Sequence, residues 1–139
     1  MDGRTQAIAE AMARVGLALL ALPLADLPPV AHVEADDRSN QPRVRLQLSA
    51  ACEPAAALVA WADALPDTSA QGCEYDNHIH VDVVAVLDGV RVAVWSHFDG
   101  EHLVDAGNFL SLPLDGQTHA LPLAALRGLA KRRAVSCDA

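Results

Sequence analysis

The chain has 139 residues, of which 52% are hydrophobic and 20% charged, a balance that excludes a disordered or fibrous polypeptide. A chain of this length buries about two-thirds of its extended surface as a single domain, spanning residues 1–139, without disulfides or metal as staples. The formal net charge of −8 repels phosphate backbones, which excludes nucleic acid as the expected partner.

Three cysteines, Cys52, Cys73 and Cys137, form an odd set with no CxxC pair. That argues against a disulfide framework and against a thiolate zinc finger. Reduced thiols fit the cytoplasm, the expected location. Glu53 opposes activation of the neighbouring Cys52 thiol. Lys131-Arg132-Arg133, the sole basic run, reads as a helix end whose cations favour the negative pole of the dipole.

In chain order, residues 4–22 read as an amphipathic helix. Ile8, Met12, Val15, Leu19 and Leu22 align on one face, and Glu10 and Arg14 form a solvent-side pair. Leu17 and Leu20 widen the apolar face, so the second half of the helix is expected to bury more than one side. The covering surface is either the domain's own sheet or a second copy of the chain. The apolar run Val15–Leu22 is far below the roughly 20 residues that span a bilayer. Asp2, Glu10 and Arg14 also disagree with a signal peptide, so no membrane partner is expected. Pro23 and Pro28-Pro29 close a helix-and-linker segment over residues 1–27. The body of the domain follows over residues 28–139.

Residues 30–36 and 43–49 alternate apolar and polar positions and read as a hairpin around a polar loop. Glu34 and Asp36 on one strand and Arg43 and Arg45 on the other are explained by cross-strand pairing, so no site is read there. Residues 54–65 form the clearest helix, opened by Pro54 and striped with Leu58, Trp61, Ala62 and Leu65. Residues 66–75 read as a loop.

Residues 77–99 form the central hairpin, with Asp88-Gly89 favouring a type I′ turn. A two-residue turn sets Leu87 opposite Val90 and fixes every later pair. One face then carries Ile79, Val81, Val83, Val92, Val94 and Phe98 as core. The other carries His78, His80, Asp82, Val84 and Val86 against Arg91, Ala93, Trp95, His97 and Asp99. A short fifth strand over 102–106, an irregular segment over 107–116 and extended chain over 117–121 lead to a last helix from Pro122. The order α-ββ-α-ββ-α specifies an α+β fold: a mainly antiparallel four-stranded sheet with helices packed on one face.

The second hairpin face supports two functional readings. Trp95, Val84 and Val86, together with Leu17 and Leu20, suit association with a protein partner or with a second copy as a homodimer. His78, His80 and His97 project to one side and could hold zinc, with Asp99 or Asp82 adding an oxygen or orienting a ring. Ser96 and His97 point to opposite faces and cannot act as nucleophile and base. The sequence has no GxSxG, HExxH, P-loop or GxGxxG. The expectation is a small acidic interaction or accessory domain that self-associates and binds no cofactor. A metal-binding domain stands second and a metal-dependent hydrolase third.

Overall fold

The computed structural model describes residues 3–137, with side chains over residues 3–134; Asp2 and the Cys137 side chain lie outside this range. Its elements are α1 (Arg4–Leu20), β1 (Val30–Arg38), β2 (Gln41–Leu48), α2 (Pro54–Ala64), β3 (Ser69–Glu74), β4 (His78–Leu87), β5 (Val90–Asp99), α3 (Leu103–Leu110), β6 (His119–Leu121) and α4 (Leu123–Cys137).

The expected α+β class is present, but the sheet has six strands rather than four, in the order β1-β2-β5-β4-β3-β6. It is mixed: β2 and β5 run parallel where the two hairpins meet, and every other neighbouring pair is antiparallel. These two strands alternate in the same phase. Val44 therefore lies beside Val92 and Leu46 beside Val94, and the two hairpins share one continuous apolar face.

Two expectations are corrected. Within the expected loop over 66–75, Ser69–Glu74 forms β3, paired on both sides by β4 and β6. The expected fifth strand and the first part of the expected irregular segment give way to α3, over Leu103–Leu110, while residues 111–116 are irregular as expected. Residues with weak strand or helix preference adopt these states because their neighbours complete them. Gly72 shows the close fit: a Cβ there would stand 2.7 Å from Leu112 Cδ1 and 3.3 Å from the His80 carbonyl oxygen.

The central hairpin follows the register set by its turn. Asp88 and Gly89 both have positive φ, 47° and 77°, and pairing runs from Leu87–Val90 to His78–Asp99. Ser39 and Asn40 form an equally short turn, with φ of 55° and 61°, where a longer polar loop was expected.

Helices α1, α2 and α3 pack against one face of the sheet, and α4 closes over α2 and α3. The core joins Val44, Leu46, Val81, Val83, Val92, Val94 and Phe98 of the sheet to Val15, Leu58, Trp61, Leu126 and Leu129 of the helices. Trp61 is fully buried and its indole N–H donates to the Pro28 carbonyl at 2.9 Å, which satisfies its one polar atom. Helix α2 starts where Pro54 occupies its first turn and Glu53 Oε2 accepts from the Ala56 amide at 2.7 Å. Gly128 weakens α4 as an isolated helix, but the Phe109 ring of α3 packs against it: a Cβ there would be 3.4 Å from that ring. Among the described residues, no helix covers the second sheet face.

Candidate functional site

Strand pleating puts Arg43, Arg45 and Gln47 of β2 on the open face. Arg91, Ala93, Trp95 and His97 of β5 lie beside them, followed by His78, His80, Asp82, Val84 and Val86 of β4 and by Gln71 and Cys73 of β3. The face is concave. Arg38 on the β1 edge and Thr118, just before β6 at the opposite edge, line the same cavity of about 390 Å³.

His80 stands at the centre of a polar network. Its Nε2 lies 2.9 Å from Asp82 Oδ1, and its Nδ1 lies 2.9 Å from His97 Nε2. Gln71 Nε2 donates to Asp82 Oδ2 at 3.3 Å, and Arg45 Nη2 stands 3.9 Å from Oδ1. Asp82 is only 8% exposed. Burial raises its pKa, but hydrogen bonds and charge from His80, the Gln71 amide and the Arg45 charge together hold it below the ordinary value of 3.8. An ionised Asp82 only accepts, so His80 Nε2 must carry a proton toward it. His80 Nδ1 then accepts from a neutral His97 or, in a charged His80, donates to it. Burial and the neighbouring His80 and His78 push the His97 pKa below 6.5, against the opposing pull of Asp99 and Asp82.

The structure brings His78, His80 and His97 together as the sequence predicts. The His78 ring is 4.6 Å from that of His97, centre to centre, and stacks on Tyr75 at 4.7 Å. Asp99 is paired with His78 in register. Among the described residues, no group of three His, Cys, Asp or Glu side chains is arranged to hold a metal ion. The reason is local: His80 commits both ring nitrogens to hydrogen bonds, so a metal would have to displace His97 or Asp82 from it.

Trp95 is half-buried. The Arg45 guanidinium lies 5.4 Å from its ring centre, and the His80 and His97 rings stand at 4.8 and 4.9 Å. The apolar exposure of this face therefore falls on Val86, 60% exposed, and on half-buried Val84.

Leu17 and Leu20 lie on another surface. Helix α1 buries Ala11 and Val15 against the sheet, while Leu17 and Leu20 point outward, 71% and 73% exposed. Ala9, Ala13 and Gly16 are exposed on the same outward side. A Cβ at Gly16 would meet nothing within 4 Å. Below the helix end, an apolar groove is lined by Leu19, Leu24, Pro29, Val33 and Trp61, among others.

Sequence reasoning did not find the arginines of the concave face as a group. Arg38, Arg43 and Arg91 line one cavity with Gln71 and Thr118, although they come from five separate stretches of chain. The signal in the sequence was Arg91, at a position with no acidic partner across its hairpin.

Comparison of the chain with protein-family models, with curated proteins and with solved structures finds no match. Among the described residues, no helix is long and apolar enough to cross a membrane.

Proposed function

We propose that the protein is an association domain that pairs with a second copy of itself through the outward face of α1. The observation that carries this reading is the outward placement of Leu17 and Leu20 on a helix whose other side is already packed. Exposed leucines occur singly on many surfaces, but two on one face beside Ala9, Ala13 and Gly16 form a contiguous stripe.

Gly16 adds a separate argument. A glycine inside a helix costs about 1 kcal/mol relative to alanine, and this chain leaves open space where its side chain would be. The folded protomer has no use for that gap, whereas a helix laid across α1 does. A two-fold axis crossing the outward side of α1 at the level of Val15, whose own side chain is buried, sets Leu17 of each protomer against Ala13 of the other, so a large residue meets a small one in both directions. The groove at Leu24, Pro29 and Val33 extends the contact beyond the helix, toward the roughly 800 Å² per partner of a stable interface. Pairing through the exposed β1 edge is disfavoured, because Glu34, Asp36 and Asp37 would face their own copies there.

The test is an isotope-filtered NMR experiment on a mixture of labelled and unlabelled protein. The reading expects inter-protomer NOEs from the Leu17 and Leu20 methyls to Ala13. A concentrated sample without such NOEs, or with NOEs only at Val84 and Val86, overturns it.

A further inference from the structure

We infer that the concave sheet face is a binding site for a small molecule carrying a doubly charged phosphate group, held between Arg38 and Arg91. The site is independent of the α1 face and stands or falls separately from self-association.

Four arginines, Arg38, Arg43, Arg45 and Arg91, line the cavity of about 390 Å³, a size within the range of small-molecule pockets. Their charges are not equally available. Arg43 forms a forked pair with Asp36, at 2.6 and 3.1 Å. Arg45 is shared among Glu34 at 3.6 Å, Asp82 at 3.9 Å and the Trp95 ring. Arg38 and Arg91 make no hydrogen bond or ion pair among the described residues, and both are exposed at the mouth. The two free cations thus lie on one side of a trough whose opposite wall presents the neutral hydrogen-bonding groups of Gln71 and Thr118.

The strand register sharpens the argument. Arg91 of β5 lies directly abreast of Arg43 of β2. Like charges at such a position destabilise a sheet, and opposite Arg91 across the hairpin is Val86, which cannot compensate. A protein with net charge −8 has carboxylates to spare, yet those that act on this pair, Asp36, Glu34 and Asp82, act on Arg43, and none forms an ion pair with Arg91 among the described residues. An incoming oxyanion removes the repulsion. Guanidinium groups match phosphate oxygens in a two-pronged geometry, and two uncommitted arginines balance a charge near −2.

Deeper in the cavity the chemistry changes. Asp82 repels a second anionic group, while its Oδ2, with a single donor at 3.3 Å, can accept from a hydroxyl or amine. The ligand is therefore anionic at one end and hydrogen-bond donating at the other, as a sugar phosphate is, and inorganic phosphate would occupy the mouth alone.

The test is a titration of ¹⁵N-labelled protein at constant ionic strength, first with inorganic phosphate and then with ribose 5-phosphate. Saturable shifts are expected at the Arg38 and Arg91 Nε–H groups and the Gln71 side-chain amide. Tighter binding of the sugar phosphate identifies an organic monoester, and equal binding identifies free phosphate. Arg91→Gln is expected to weaken binding by about tenfold or more. It should not lower the melting temperature of the ligand-free protein, because it removes a like-charge neighbour. Arg38→Gln serves as the second variant. Shifts that do not saturate, shifts centred on Lys131 and Arg132 instead, or unchanged binding in both variants overturn the proposal.

Discussion

His80 Nδ1 and His97 Nε2 stand 2.9 Å apart across the central hairpin, and this contact governs how the open face responds to acid. The two nitrogens share one proton. With His80 Nε2 donating to Asp82 and its Nδ1 engaged with His97, the next proton taken up by the pair goes to His97, where burial and the neighbouring His80 and His78 oppose it against the pull of Asp99 and Asp82.

His97 should therefore titrate below 6.5, which the Cε1 proton shift in NMR reads directly. The sign of the stability effect follows. Below 6.5 the unfolded chain takes up a proton that folded His97 resists, so stability falls as pH drops toward the depressed folded value. His97→Gln should flatten that fall. A His97 midpoint at or above 6.5 would sink this prediction.

Asp82→Asn removes the charged acceptor that His80, Gln71 and Arg45 converge on. The expected loss is about 1–3 kcal/mol in urea unfolding at neutral pH. Burial favours the protonated acid, but the His80, Gln71 and Arg45 contacts outweigh it and leave the folded pKa depressed. The Asp82 contribution is then fully present above 3.8 and disappears as pH falls through the folded value. Wild type and variant should converge in stability at that acidic end. A constant difference across the whole range would show that the carboxylate charge is not what matters.

Gly72→Ala probes the strand that the sequence concealed. The added methyl meets Leu112 Cδ1, which can swing aside, and the His80 carbonyl, which cannot. We expect a loss of about 1–3 kcal/mol in chemical unfolding, and an equal or higher stability than wild type would contradict the tight fit.

The central hairpin was legible because Asp88-Gly89 fixes a two-residue turn, and a side-chain period of two carries that register along both strands. Helix α2 was legible from Pro54 and the Leu58–Trp61–Leu65 spacing. Strand β3, in contrast, is Ser-Ala-Gln-Gly-Cys-Glu, a segment poor in β-branched and aromatic residues that is a strand only because β4 and β6 flank it. Helix α3 contains Asp105, Gly107 and Asn108. Its support is tertiary: Ala106 and Leu110 are buried, and Asp105 pairs with Arg133 of α4 at 3.0 Å. The parallel contact of β2 with β5 has no local signal, because alternation is blind to strand direction.

The candidate site divides in the same way. The histidines are neighbours through one hairpin's register, so the sequence reveals their meeting, but not that His80 spends both nitrogens on His97 and Asp82. The Arg38–Arg91 trough depends on the β1–β2 hairpin joining β5 through β2 and on Thr118 lining the same cavity from the opposite edge, and those contacts exist only in the folded sheet.

The most direct test of self-association is the mass of the untagged protein in solution by light scattering after gel filtration. It should be run beside Leu17→Asp/Leu20→Asp and with circular dichroism to confirm folding. Because both leucines are exposed, the double variant should keep the fold, with surface substitutions worth within about 0.5 kcal/mol each. The account predicts twice the 14.6 kDa chain mass for the wild type and a folded monomer for the variant. A wild-type monomer at high concentration, or a dimer that survives both aspartates, would contradict it.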